Sequence, residues 1–102
     1  MRRQKLFAQV KSNVLALDPQ ARVFLYGSRA RGDHKRLSDW DFFVMTSYPF
    51  DWKKVDELRD LLYDVELESG QLISSVVESK EGFERLKAMP LYQNIVAEGV
   101  EI

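Results

Sequence analysis

Ala21-Arg22-Val23-Phe24-Leu25-Tyr26 runs straight into Gly27-Ser28-Arg29-Ala30-Arg31-Gly32, and after a polar connection the chain continues Ser38-Asp39-Trp40-Asp41-Phe42-Phe43-Val44-Met45. The first segment is short, is built around Val23, Phe24, Leu25 and Tyr26, and stops at a glycine, which predicts a buried strand delivered into a turn. Ser28 to Arg31 fits one short helix closed by Gly32-Asp33, and His34-Lys35-Arg36-Leu37 reads as a polar connection. From Asp39 to Met45 the alternation predicts a second strand. Asp39, Asp41, Phe43 and Met45 then share one face, and Trp40, Phe42 and Val44 take the other.

Outward from this stretch the pattern turns helical. Over residues 3–17, Leu6, Val10, Val14 and Leu17 recur at helical spacing, with Phe7 widening the stripe, until Asp18-Pro19 stops the helix. From Asp51 onward Val55, Leu58, Leu61, Leu62 and Val65 keep the same period, and Gly70 suits a left-handed C-cap. Gln71 to Glu78 predicts a third strand, followed by helices at 80–88 and 90–98, the second opened by Pro90 and closed by Gly99. This order argues an α/β (α+β) fold, a small mixed sheet of three to four strands covered by helices. Three strands are too few for a doubly wound sheet, and no repeat, linker or low-complexity tract interrupts residues 1–102, which read as one domain.

Composition narrows the chemistry. With 102 residues and 45% hydrophobic content the chain can build one modest core, which a partner or an oligomer would help. Fifteen basic against 16 acidic side chains leave a formal charge of -1, so no global field favours DNA, RNA or an acidic membrane, and any anion site must be local. Cysteine is absent, which removes disulfides and sulfur-ligated metals and leaves oxygen or imidazole ligation, suited to hard ions such as magnesium. The basic start Met1-Arg2-Arg3-Gln4-Lys5 is not followed by an unbroken apolar run, because Gln9, Lys11, Ser12 and Asn13 interrupt it. No run reaches membrane-spanning length, and a cytoplasmic protein is expected.

Two features remain to be explained by function. A strand that ends in glycine and turns into a helix start presents backbone N–H groups, and with the Ser28 hydroxyl these can bind phosphate oxygens. Taken alone, a Gly-Ser turn is most often structural. Two acids two residues apart on a strand project to one side, roughly 6–7 Å apart, within reach of shared metal ions. A water-facing strand face would also carry acids, but this face continues as Phe43 and Met45, which suits the rim of a cleft. Together the turn and the paired aspartates point to a site for a triphosphate and its metal ions.

Gly27-Ser28-Arg29-Ala30-Arg31-Gly32 with Ser38-Asp39-Trp40-Asp41 resembles the signature of the DNA polymerase beta nucleotidyltransferase superfamily. The short length is similar to its minimal branch, known as the antitoxin half of two-gene modules with HEPN-domain toxins. The resemblance implies that Gly27 and Ser28 contact the triphosphate and that Asp39 and Asp41 are the catalytic carboxylates and the ligands of two magnesium ions, with ATP as substrate. Of Arg29 and Arg31, it implies that one reaches the phosphates while the other pairs with an acid such as Asp33, Arg31 being preferred for the phosphates. Ser38 is expected to hold the loop before the strand.

The family pattern also asks for a third carboxylate on the next strand, as base for the attacking hydroxyl. Here the chain offers Ser74 or Ser75, and Glu78 falls near the far end of that strand. If the preceding helix ended early, Asp64, Glu66 and Glu68 would alternate on a strand and one could supply the base; the period of Val55, Leu58, Leu62 and Val65 favours the helix. His34 reads as a solvent-facing loop residue, its four-residue spacing from Arg29 being coincidental to the Arg/His pattern of HEPN ribonucleases. Trp40 and Phe42 read as core, while Trp52 fits either core or stacking. The expected function is transfer of AMP from ATP to a hydroxyl of a partner protein, the toxin. The alternative is a nucleotide-binding module of weak activity that neutralises its partner by contact.

Overall fold

The computed structural model describes residues 2–102. Helix α1 spans Arg3–Leu17, strand β1 Arg22–Tyr26, helix α2 Ser28–Arg31, strand β2 Trp40–Thr46 and helix α3 Trp52–Ser69. Strand β3 follows at Ile73–Ser79, then α4 at Lys80–Leu86, α5 at Pro90–Glu98 and a two-residue strand β4 at Val100–Glu101. The ends of α3 form as the sequence dictates. The Asp51 carboxylate accepts the N–H of Lys53 and Lys54, and Gly70 closes the helix at φ 70°.

The sheet order is β3-β2-β1-β4. Strand β1 runs antiparallel to β2 and to β4, and β2 runs parallel to β3, so the sheet is mixed. Its two faces bury different sets of residues. Val23, Leu25, Trp40, Phe42, Val44 and Val77 face α1 and α3, packing on Leu6, Val10, Val14, Val55, Leu58, Leu62 and Val65. Tyr26, Phe43 and Met45 face the other way, against Tyr92 and Ile95 of α5 and Phe83 of α4. Helices thus cover both faces, which is why β2 has no solvent-facing apolar side: Phe42 and Phe43 are adjacent, point oppositely and are both 0% exposed.

Three boundaries differ from expectation. Asp39 lies just ahead of β2, which begins at Trp40 where the backbone N–H of that residue bonds Leu72 O at 2.9 Å. The third strand starts at Ile73, since Gly70, Gln71 and Leu72 are used in leaving the helix. The fourth strand of the expected three to four, which the sequence did not place, is Val100–Glu101, pairing with Phe24 and Leu25 after the extended Gly99. Asp64, Glu66 and Glu68 all lie within α3, and the Glu66 carboxylate caps the start of β3 by accepting Ile73 N–H at 2.7 Å. No described helix is long and apolar enough to cross a membrane.

Candidate functional site

The site forms at the end of the sheet where β1 stops and β2 and β3 begin. Tyr26 pairs with Asp41, and Asp41 pairs in turn with Ser74 on the parallel strand. The turn after Tyr26 therefore sits beside the Asp41 carboxylate. Gly27 has φ 75°, and a Cβ built on it would overlap Asp41 Oδ2, so both backbone shape and side-chain space demand glycine here. Helix α2 then starts at Ser28, which is half-buried; the first amides of a helix have no partner within it. These amides and the Asp41 carboxylate lie at one edge of the fold.

Asp41 is half-buried and Asp39 is exposed. The Asp41 carboxyl is held above its ordinary value of 3.8 by burial first and by Asp39 second; Arg31 opposes the shift and Glu98 adds to it. Tyr26 is pushed up to about 12 by burial, with Asp41, Tyr92 and Glu98 contributing. Negative charge is thus crowded at this end of the sheet, and each ionised group raises the cost of the next.

The two arginines of α2 part company. Arg29 is buried and donates from Nε and Nη2 to Ser38 O at 3.3 and 3.0 Å, and from Nη2 to Arg36 O at 3.1 Å. Its guanidinium also lies 4.3 Å from the Trp40 ring centroid, a cation–π contact. Arg29, expected with Arg31 at the nucleotide, here turns its donors on the loop 32–39. Residues on either side of Asp39, namely Ser38 and Trp40, are both fixed to it. Ser38 adds a bond of its own, its Oγ accepting Lys35 N–H at 2.9 Å.

Arg31 points to the rim instead. Its Nε donates to Asp33 Oδ2 at 3.1 Å and its Nη1 to Glu98 Oε1 at 2.9 Å. The arginine preferred for the phosphates is thus also the one that pairs with Asp33. Glu98, which sequence reasoning missed, accepts the Gly27 N–H on its other oxygen at 3.0 Å. The only signal of it in the chain is an acid followed by Gly99 at a helix end.

Other candidates fall outside the site. Glu78 stands opposite Met45, at the distant end of β3, and His34 is exposed in the loop. Trp40 and Phe42 are core residues, whereas Trp52 is 67% exposed. A cavity of about 430 Å³, lined by Arg22, Thr46, Ser47 and Lys80 among others, lies at the opposite end of β2 from Asp41.

The donor set bears on magnesium. Among the described residues no three acid or imidazole side chains group closely enough to hold a metal ion by themselves. Two carboxylates with excess negative charge do suit a hard dication that takes its remaining oxygens from a bound phosphate and from water, as magnesium commonly does. Asp39 and Asp41 fit that role only jointly with a nucleotide.

The chain is similar to known proteins in sequence and in fold. The profile of the nucleotidyltransferase domain matches residues 5–98. A protein of Methanocaldococcus jannaschii, provisionally named as a protein adenylyltransferase, is 32% identical over 78 residues, which cover 76% of this chain and 73% of that protein. Among solved structures, a toxin-antitoxin with AMP-PNP superposes with a TM-score of 0.68 at 18% identity, covering 92% of this chain and 69% of that one. A mutant of the toxin-antitoxin MntA-HpeT gives a TM-score of 0.65 at 16% identity, covering 99% of this chain and 71% of that one.

Proposed function

The chain belongs to the nucleotidyltransferase domain family, and we propose that it binds ATP with magnesium and transfers AMP to a hydroxyl group of a partner protein. The observation that supports this reading is the packing of the Asp41 carboxylate against Gly27, which sets the acid proposed for the metal beside the turn proposed for phosphate. In this reading Ser28 and the first amides of α2 hold the outer phosphates, and Arg31 answers their charge from the rim. Asp39 and Asp41 hold the magnesium, which when bound neutralises phosphate charge and steadies the entering and leaving oxygens. The acceptor oxygen forms a bond to the α-phosphorus, the α–β bridging bond breaks, pyrophosphate leaves with the electron pair, and the hydroxyl proton is released to solvent. What the chain contributes is mostly positioning and electrostatics.

Two comparisons support the finer assignment: the archaeal relative bears the name protein adenylyltransferase, and the fold neighbours are toxin-antitoxin proteins, one with an ATP analogue. With the resemblance to the minimal branch, we take the acceptor to be a toxin of the HEPN class. Incubating the chain with labelled ATP, magnesium and the product of the adjacent gene is expected to label that product. Asp39→Asn with Asp41→Asn is expected to abolish the label, and labelling that survives both changes would overturn the assignment.

One observation favours a second reading, neutralisation by contact alone. Ser74 stands beside Asp41 on the strand where the resemblance implies a third carboxylate, and a serine is a poor base. That reading expects Asp39→Asn to neutralise the toxin as well as the unmodified chain does, whereas the transferase reading expects neutralisation to fail.

A further inference from the structure

One acid reaches this site from the far end of the chain. Glu98 ends α5, and its two carboxylate oxygens serve two donors, Gly27 N–H at 3.0 Å and Arg31 Nη1 at 2.9 Å. The Glu98 side chain is 19% exposed, against 63% for Asp33, the other acid on Arg31. Glu98 is thus the better-shielded arm of the pair, and solvent weakens it less. Together the two acids fix the guanidinium at Nε and Nη1. Nη2 donates no hydrogen bond to a described residue.

The placement has an electrostatic cost. Glu98 brings a third negative charge to an end of the sheet where Asp39 and Asp41 already repel each other. An acid in that position makes physical sense if it orients Arg31, the cation it pairs with. A free arginine side chain has many rotamers, and fixing it before a ligand arrives removes an ordering cost from binding. The short connection through Gly99 serves the same end, since a Cβ there would press on Ile95 O and shift the end of α5.

We propose that Glu98 is a positioning residue of the nucleotide site: it holds Arg31 so that Nη2 is left for phosphate oxygens, and it acts on nucleotide binding through Arg31. The inference rests on the reading of Gly27–Ser28 as a triphosphate cradle. Glu98 does not touch the nucleotide. A glutamine at this position replaces one of the two acceptor oxygens by an NH2 donor, which then faces either Gly27 N–H or Arg31 Nη1, and the bond on that side is lost.

The test is a double-mutant cycle read by calorimetric titration with magnesium and a non-hydrolysable ATP analogue, using the unmodified chain, Glu98→Gln, Arg31→Met and the double variant. Glu98→Gln is expected to weaken binding about tenfold, the loss of one charge-assisted hydrogen bond. In the Arg31→Met background the same change is expected to alter affinity less than about twofold, because partners in one network are not additive. Equal losses in both backgrounds would show a strut that supports the fold without acting through Arg31, and would overturn the proposal. Unchanged affinity would overturn it, as would tighter binding, which would mean that Glu98 competes with phosphate. If Glu98→Gln melts below the assay temperature, Glu98→Asp replaces it; one methylene shorter, its carboxylate is drawn back from both donors, and the same expectations apply. Absence of binding by the unmodified chain would instead remove the nucleotide reading itself, and this proposal with it.

Discussion

The Asp41 carboxylate lies against the backbone of Gly27 so closely that any side chain at position 27 would overlap its Oδ2 atom. The glycine also has φ 75°, a conformation that other residues adopt only with strain. Gly27→Ala is therefore expected to destabilise the fold by about 1–3 kcal/mol and to displace Asp41. Denaturant unfolding measures the first effect and a titration with magnesium and nucleotide the second. Wild-type values in both would contradict the packing described.

Burial is the main reason that the Asp41 carboxyl is held above 3.8, with Asp39 next, Arg31 opposing and Glu98 adding. The folded chain thus keeps this proton at pH values where the unfolded chain has lost it. Its contribution to stability is fully present below the ordinary value and is lost as pH rises through the raised folded value, so ionised Asp41 opposes folding at neutral pH. Asp41→Asn is expected to raise the melting temperature of the nucleotide-free protein at neutral pH, with the gap closing as pH falls toward about 4. The same variant should lose all stabilisation by magnesium and nucleotide. A melting temperature that drops at neutral pH would contradict this account.

Arg29 holds the loop carrying Asp39 through Ser38 O and Arg36 O. Arg29→Met is expected to cost about 2–4 kcal/mol, since it removes charge-assisted bonds and leaves carbonyls without donors. Amide hydrogen exchange should quicken across residues 33–39. Nucleotide affinity that falls while loop protection is unchanged would show that Arg29 meets the phosphates after all.

Ser74 pairs with Asp41 on the parallel strand and is exposed. Ser74→Asp is expected to strengthen magnesium binding, because it adds a carboxylate to the same sheet face beside Asp41. Without magnesium it should lower stability by about 0.5–1 kcal/mol through like-charge repulsion across the pair. Melting curves with and without the ion measure both effects. A variant indifferent to magnesium would show that Ser74 does not adjoin the metal position.

The elements that position the site were legible because each has a local signal. Helical spacing marks α1 and α3, alternation marks β2, and Gly27 and Gly70 punctuate the chain where φ is positive. Strand β4 was not legible, since two residues have no period and Val100–Glu101 is defined only by its pairing with β1. The division of labour between Arg29 and Arg31 was hidden for a different reason. Residues two apart on a helix point in different directions, so one arginine entered the loop and the other reached the rim, and only the surrounding chain decides which. Glu98 was beyond local reading altogether, because its partner Gly27 lies 71 residues away and meets it only after α5 has packed on the sheet.

The central claim, that Gly27–Ser28 and the Asp39/Asp41 pair form one metal–triphosphate site, is tested most directly by an NMR titration with magnesium and a non-hydrolysable ATP analogue. Shifts are expected to concentrate at Gly27, Ser28, Asp39 and Asp41, to require magnesium and to disappear in Asp39→Asn with Asp41→Asn. Shifts centred on Thr46 and Ser47, at the cavity on the opposite end of β2, or shifts that persist in the double variant, would contradict it.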